Sequence, residues 1–550
     1  MNAVTLDDLK RQGLILPVSR MGEQRAICPL CSGSRKKKNA KDLAINFSKG
    51  TWFCHHCSTG GVIRSSVSYR RPVLKPPSSA QSSLEKFFEK RCISPATYKR
   101  QGIYQTENMI AFPYYDGKFL INVKYRGANK TFRLESDCEL ILYGINNIKE
   151  NKPLIFTEGE IDCLSILEIG LKNVVSVPNG AQGKLDYLNK AGLKLKKCSH
   201  FILALDNDKA GIVLLNNLLK RLGEENCKIV TWPEGCKDAN DVLMKYGKDK
   251  LKEAIKNAKT KIYGTVSPDE RLESTLLFYK NGYRAGLKTG WQTLDSYYSI
   301  FPGNIDVITG VPGSGKSAFV ESLVLNLFYQ GFKTLLFSPE GGDIEEHLLS
   351  FACKIFKAAA DRKHPKAIGE NNLRIAIDSI KKHIFFIDPS SEMKLNLDVI
   401  ISLTKKKIIA DGINGLVIDP WNQLQHFRPS HLNETEYVGK ALTNLKRLAI
   451  SRNIHIWIVV HPKKMESSHS NQFGRTDKIY QTVQLYDLYG SSNWANKADC
   501  ILSIKRLPDY FTEIKMIKVK SHKIGRLGTV TLKYNALYEG YSDKKEVFII

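Results

Sequence analysis

The chain has no run approaching the ~20 consecutive apolar residues that a membrane-spanning helix needs, so a helical membrane protein is excluded. The first residues, Met1-Asn2-Ala3-Val4-Thr5-Leu6-Asp7-Asp8, lack the basic start and apolar stretch of a secretory signal, and the early acids argue against a transit peptide. A soluble intracellular protein with no membrane partner is expected. Acids are scarce relative to bases: 55 Asp and Glu against 82 Lys and Arg leave a net charge of +27. That excess points to a polyanionic partner, nucleic acid ahead of membrane, because no basic amphipathic anchor stands out. Close cysteine pairs are few as well. Four of the 12 cysteines form two such pairs and the rest are scattered, which in a reducing compartment reads as one metal site plus buried thiols. No solenoid-like repeat is present, and 550 residues exceed one ordinary core, so roughly three or four domains are expected.

The most informative string is Gly310-Val311-Pro312-Gly313-Ser314-Gly315-Lys316-Ser317, a complete P-loop after the apolar run Asn304 to Thr309. The glycines let the backbone curl so that successive N–H groups face phosphate oxygens, Lys316 reaches the outer phosphates, and the Ser317 hydroxyl can ligate magnesium. A nucleoside triphosphate is therefore an expected cofactor.

Cys28-x-x-Cys31 and Cys54-x-x-Cys57 flank two short predicted strands, Leu43 to Phe47 and Thr51 to Phe53, around the turn Lys49-Gly50. This is the layout of a zinc ribbon, in which four thiolates surround one Zn2+ at about 2.3 Å and leave no open position for catalysis. His55 and His56 sit inside the second pair, but a four-cysteine set is simpler. The basic run Arg35 to Lys38 and the aromatic Trp52 and Phe53 suit phosphate contact and base stacking. Residues 64–83 have the Ser-, Arg- and Pro-rich composition of a flexible tether. Next, Ile110 to Arg126 reads as a hairpin turning at Asp116-Gly117, with Lys124 and Arg126 on one face of its second strand.

From Pro153 strands and helices alternate. Leu154-Ile155-Phe156-Thr157 delivers Glu158 at its carboxyl end, and Phe201 to Leu205 ends in Asp206-Asn207-Asp208. A further acidic cluster, Lys237-Asp238-Ala239-Asn240-Asp241, follows. Carboxylates at the carboxyl ends of parallel strands lie where open α/β sheets bind ligands, and such a cluster repels itself unless divalent cations neutralise it, so Mg2+ is implied. After a connector with a helical segment at Asp269 to Tyr279, a second α/β pattern begins. There Gly415-Leu416-Val417-Ile418 ends in Asp419, the arrangement that holds magnesium or its water opposite Ser317. Glu340, at the end of another strand, is placed to orient or deprotonate an attacking water, and His461 to sense the outer phosphate.

The order zinc ribbon, basic hairpin, Glu158 with Asp206-x-Asp208, connector helix and P-loop domain resembles the bifunctional primase-helicases of tailed phages and their organellar relative Twinkle, over almost the whole chain. Thr157-Glu158-Gly159-Glu160-Ile161-Asp162 and Lys237 to Asp241 resemble that family's Toprim segments, and Gly490 to Asp499 its last helicase motif. The resemblance implies a multidomain α/β protein: a β zinc ribbon (1–63), a linker (64–83), a Toprim-type primase core (84–260), a linker helix (261–285) and a RecA-like helicase domain (286–550). It implies that Glu158, Asp206 and Asp208, with Asp238 nearby, hold magnesium for joining ribonucleotides. Lys124, Arg126 and Lys130 would contact nucleotide or template phosphates. It implies ATP or dTTP as fuel, single-stranded and forked DNA as substrate, a ring-shaped homo-oligomer, commonly a hexamer, and a replicative DNA polymerase as partner. The compartment would be the cytoplasm of a bacterial or phage-infected cell, or an organelle. Lys463, Lys464, Arg475 and Lys478 are candidates for channel contact by charge. The family usually supplies an arginine from the neighbouring subunit, whereas here Lys518, Lys520 and Arg526 are the candidates, and a lysine lacks the bidentate fork. Three other readings stay open: a Twinkle-like helicase with an inactive primase half, a non-enzymatic DNA-binding or loading module, and a Toprim nuclease coupled to the ATPase.

Overall fold

The computed structural model describes residues 23–543, apart from 29–30, 33–36, 47–50, 55, 57–59, 63–68, 79–81, 108, 128–130, 181–184, 261–267, 283–284, 391–393, 464–466, 473–474 and 489–491. Cys57, His55, Arg35, Lys36, Lys130 and Lys464 therefore lie outside the described residues, as do the side chains of Arg475 and Lys478. The chain forms two compact units, one of Ser68–Arg284 with Lys405–Gly412, the other of the remaining residues.

The N-terminal segment is a four-stranded antiparallel sheet: β1 (Glu23–Ala26), β2 (Leu43–Asn46), β3 (Thr51–Cys54) and β4 (Gly60–Val62), in that order. Leu43, Ile45 and Trp52 are buried, with Ile45 opposite Trp52 across the ladder. Residues 69–78, within the expected tether, carry no helix or strand. They are nonetheless fastened to the sheet that follows: Arg70 N donates to Asp137 O and Ser78 N to Gln105 O, each at 2.8 Å. An extended Pro-rich segment keeps its carbonyls and remaining N–H groups free for such contacts.

That next sheet is β5 (Tyr104–Thr106), β6 (Met109–Asp116), β7 (Phe119–Gly127) and β8 (Phe132–Leu134), antiparallel in chain order, with Gly117 at φ 60° in the β6–β7 turn. It adjoins a parallel sheet of order β10-β9-β11-β12, made of β9 (Leu154–Thr157), β10 (Val174–Ser176), β11 (Phe201–Ala204) and β12 (Cys227–Ile229). A parallel sheet covered on both faces has no solvent side to alternate toward. Leu154, Ile155, Phe156 and Thr157 are accordingly all buried. The chain leaves β9 for β10 on one side, then returns to β11 on the other, so the carboxyl ends of β9 and β11 open a crevice where the strand order reverses.

The larger unit has a nine-stranded sheet of order β15-β14-β16-β17-β13-β20-β21-β22-β23. Its parallel part is β13 (Ile305–Thr309), β14 (Thr334–Phe337), β15 (Ile384–Phe386), β16 (Gly415–Ile418), β17 (His455–Val460) and β20 (Cys500–Arg506). Between β17 and β20 lies a separate hairpin, β18 (Ser467–Gln472) and β19 (Arg475–Tyr480). An antiparallel extension follows as β21 (Phe511–Val519), β22 (Gly528–Asn535) and β23 (Gly540–Asp543). The connector segment contains the helix Pro268–Asn281. Among the described residues no helix is long and apolar enough to cross a membrane.

Candidate functional site

In the smaller unit Glu158 follows β9 and Asp206 lies two residues beyond β11, while Thr157 and Ala204 are paired across the ladder, so the two carboxylates share one crevice. Asp208 caps the helix Lys209–Leu222 by accepting from Gly211 N at 2.8 Å, and it faces the crevice as well. Gly211 is required there, because a Cβ at that position would come within 2.0 Å of Asp206 O and 3.2 Å of Glu158 Oε2. Burial, then Asp206 and Asp208, push the Glu158 carboxyl up to about 7, and its buried Oε2 has no hydrogen-bond partner. Asp206 is raised by burial even though Lys237 works against it, whereas the Gly211 N–H and Lys237 hold Asp208 down.

Asp238 caps the helix Ala239–Lys256 through Asp241 N at 2.8 Å. Carboxylate oxygens of Asp162, Asp206 and Asp238 fall within 4.8 Å of one another. Burial, then Asp238 and Asp206, raise the Asp162 carboxyl well above its ordinary value. These all-oxygen donors, with a carboxyl at about 7 and an orphaned Oε2, fit a hard divalent cation such as magnesium.

Lys124 and Arg126, two residues apart on β7, have different settings. Lys124 is buried and its ammonium donates to Glu160 Oε1 at 2.8 Å, Glu160 Oε2 at 3.0 Å and Pro178 O at 3.0 Å, so its donors brace Glu160. Tyr114 donates to the same carboxylate. The Arg126 guanidinium is half-buried, 5.1 Å from the ring centres of both Phe87 and Phe132, and Arg91 lies 3.8 Å over Phe87. Burial, then the neighbouring Arg91, lower Arg126. Two such guanidiniums beside aromatic rings can hold phosphates.

In the larger unit the P-loop, Glu340, Asp419 and His461 follow β13, β14, β16 and β17, four neighbouring parallel strands, and so meet along one edge. Gly315 at φ 89° ends the loop, where a Cβ would come within 2.4 Å of the Tyr541 hydroxyl. Lys316, in the first turn of the helix Lys316–Phe328, donates to Gly310 O at 2.9 Å and Val311 O at 3.1 Å. Burial lowers its pKa while Asp419 and Glu340 act the other way. Asp419 is buried and pushed up to about 6, although the Ser317 hydroxyl donates to it and Lys316 lies near. His461 Nε2 is 3.3 Å from Glu340 Oε2. A buried network supports the Glu340 segment: His347 Nε2 donates to Ser338 O at 2.9 Å, and its Nδ1 is 2.7 Å from Glu321 Oε1, whose other oxygen accepts from Lys354 at 2.6 Å.

Of the three finger candidates, half-buried Lys518 donates to Ala495 O, Arg526 lies 4.5 Å over the Tyr297 ring, and exposed Lys520 is 3.7 Å from Asp499 Oδ1. In the ribbon Cys28, Cys31 and Cys54 are buried with sulfurs within 4.8 Å of one another. Cys31 Sγ and Cys54 Sγ are 3.8 Å apart, which is the edge of a tetrahedron whose vertices lie about 2.3 Å from a central zinc. These thiol donors fit Zn2+.

Sequence reasoning did not single out Lys237, Arg91 or Arg506, nor Glu160 and Asp162 as individual residues. The last two lie in the quoted string Thr157 to Asp162. Lys237, Arg91 and Arg506 carry no local signal. Lys237 Nζ lies 2.9 Å from both Asp206 Oδ2 and Asp208 Oδ2, and Arg506, at the end of β20, lies beside Gly315, 3.7 Å from where its Cβ would be.

Comparison with known proteins accords with this geometry. Residues 155–243 match the Toprim-like family and residues 286–543 the DnaB-like helicase C terminal domain. The Twinkle homolog protein, chloroplastic/mitochondrial, of Arabidopsis thaliana is 31% identical over 571 residues, covering 94% of this chain and 79% of that protein. This chain belongs to the Twinkle family. A second Arabidopsis thaliana relative, the primase homolog protein, is 33% identical over 42% of this chain and 80% of its own. The DNA helicase/primase of Enterobacteria phage T3 is 22% identical over 70% of this chain and 68% of its own. In this Twinkle-family chain the acidic crevice falls within the Toprim-like segment and the P-loop edge within the DnaB-like one.

Proposed function

We propose that this Twinkle-family chain is a replicative primase-helicase. It joins ribonucleotides into short primers at the Glu158 crevice and unwinds duplex DNA with nucleoside triphosphate hydrolysis at the P-loop. The observation that carries the reading is the pairing, in one chain, of a self-repelling carboxylate cluster at a strand-order reversal with a complete P-loop edge.

In primer synthesis the 3′-oxygen of the growing strand forms a bond to the α-phosphorus of the incoming triphosphate, and the bond to pyrophosphate breaks. Bound magnesium stabilises the attacking and departing oxygens in such a displacement. Glu158, Asp206 and Asp208 would hold it, with Asp162 and Asp238 adjoining. Arg126 and Arg91 bind phosphates, and Lys124 positions Glu160 beneath the site. In hydrolysis Lys316 and the loop N–H groups bind the outer phosphates, Ser317 and Asp419 hold magnesium, and Glu340 orients the attacking water, with His461 touching Glu340.

The finer assignments belong to the same proposal: one Zn2+ on Cys28, Cys31, Cys54 and Cys57, ATP or dTTP as fuel, and single-stranded or forked DNA with ribonucleotides as substrates. A ring-shaped homo-oligomer, probed first as a hexamer, a replicative polymerase as partner and a soluble intracellular setting complete it. The basic excess of +27 supports the polyanionic substrate. The deciding experiment incubates the purified chain with single-stranded DNA and labelled ribonucleotides. Short RNA products are expected; shortened DNA would indicate a nuclease, and DNA-stimulated hydrolysis without RNA a helicase with an inactive primase half.

A further inference from the structure

A cavity of about 530 Å³ lies in the smaller unit, bordered by Lys99, Arg100, Lys149, Lys172 and Tyr115. It lies away from the acidic crevice. Lys149 precedes β9 and Lys172 precedes β10, at the amino ends of strands whose carboxyl ends lead to the carboxylates. Leu167, in the cavity wall, is in the last turn of the helix Glu160–Glu168, whose first turn carries Glu160 and Asp162. Nine residues at 1.5 Å rise place the ends of that helix about 13 Å apart.

The charge around the cavity is of one sign. Among the described residues none of the four basic side chains forms an ion pair, whereas nearby Lys190 and Lys197 are matched by Asp116, Glu139 and Glu150. The walls include Pro113 and Leu167, both buried. A concave surface with cations of one sign over low-dielectric walls concentrates the field and attracts anions. The volume is within the ~300–1,000 Å³ of ligand sites.

The polar groups that could read a base are already engaged. Asn146 exchanges hydrogen bonds with Gly117 N and O, at 2.8 and 3.0 Å, and the Asn147 amide donates to Val174 O at 3.2 Å. What remains is positive charge and the partly exposed Tyr115 ring, which is the chemistry of sequence-tolerant single-strand binding. We infer that this cavity is a second nucleic-acid site, holding the phosphates of a single strand on Lys99, Arg100, Lys149 and Lys172 and a base on Tyr115. This rests on the reading of the unit as the primer-synthesising one and extends it to a strand contact remote from the chemistry.

The test uses the full-length chain. Single-stranded DNA carrying 4-thiothymidine is cross-linked to it by light and the cross-linked peptides are mapped. Binding is then titrated against salt for the parent, for a Lys99→Gln, Arg100→Gln, Lys149→Gln, Lys172→Gln variant, and for a charge-matched Lys196→Gln, Lys228→Gln, Lys252→Gln, Lys256→Gln variant. Expected are cross-links in the peptide containing Tyr115 and a log–log salt slope reduced by about 3 in the cavity variant, at ~0.7 per phosphate contact. The matched variant should keep most of the slope, and both should hydrolyse triphosphate without DNA at the parent rate. Equal losses in the two variants would reduce the effect to diffuse charge and overturn the site. So would an unchanged slope, or loss of binding to a fluorescent ribonucleoside triphosphate with DNA binding intact. Primer synthesis is scored separately. Cross-links at Tyr115 in a chain that makes no primers leave the cavity standing and remove the primase reading, and primers without those cross-links do the reverse.

Discussion

The ammonium of Lys237 lies 2.9 Å from Asp206 Oδ2, and the same distance from Asp208 Oδ2. A lysine thus supplies positive charge between two carboxylates of the cluster, and both of them raise its pKa. Because the Lys237 side chain is half-exposed, the ion pairs are of the weak, exchangeable kind.

Lys237→Met removes that internal counter-charge. Divalent cations should then bind about three- to fivefold more tightly, since an exposed pair contributes up to about 1 kcal/mol. Titration with Mn2+ by calorimetry reads this directly, and unchanged or weaker binding would show that the lysine does not compete with metal.

Lys316→Ala should lower DNA-stimulated triphosphate hydrolysis about 100-fold or more and abolish unwinding, because one cation at the developing phosphate charge is lost. Primer synthesis on short templates should persist, since its groups belong to the other unit. Equal loss of both activities would refute the two-site arrangement.

Asp206→Asn with Asp208→Asn should reverse the pattern, removing the charge that holds magnesium while keeping shape and most hydrogen bonds. Labelled ribonucleotide incorporation should vanish while hydrolysis continues. Primers made at the parent rate would place synthesis elsewhere.

Cys54→Ser removes one donor from a closed set, and metal binding and folding of so small a sheet are linked, so zinc should be released and the ribbon unfolded. Elemental analysis should find one zinc per chain in the parent and none in the variant. Template-directed synthesis on long single-stranded DNA should fall steeply with P-loop hydrolysis retained; a variant that primes as well as the parent would remove the ribbon from template selection.

The buried Glu321, His347 and Lys354 group predicts a pH window. Burial alone would raise Glu321, but His347 and Lys354 hold it down to about 2. Its contribution is therefore present above the ordinary carboxylate value and lost as pH falls toward 2, on the order of 3 kcal/mol. His347 is raised despite burial, chiefly by Glu321, so its share is present below its ordinary value and fades as pH rises through the raised one. Glu321→Gln leaves two buried cations poorly matched and should cost about 3–5 kcal/mol. Thermal melts from pH 8 to pH 3 should show a lower, flatter profile, and a parent-like profile would exclude the charged network.

Local chemistry made much of this legible. The P-loop string, the apolar parallel strands around Leu154 and Val417 and the Asp116-Gly117 turn each depend on a few consecutive residues, and each has its counterpart in the fold. The differences arise where a residue's role depends on distant neighbours. Lys124 and Arg126 share a strand face by period, yet Glu160 and Pro178, far along the chain, take up the first and leave the second beside Phe87 and Phe132.

By itself, the sequence determined which chemistries the chain contains: phosphate binding at Lys316, carboxylates at strand ends, paired thiols and a basic excess. These follow from residue type and short spacing. Only the tertiary structure decided that Asp162 joins Asp206 and Asp238, that Lys237 lies between two acids, and that four unpaired bases surround one cavity. Those relations form across sheets and helix ends, where burial and the order of strands, rather than spacing along the chain, set which charges meet.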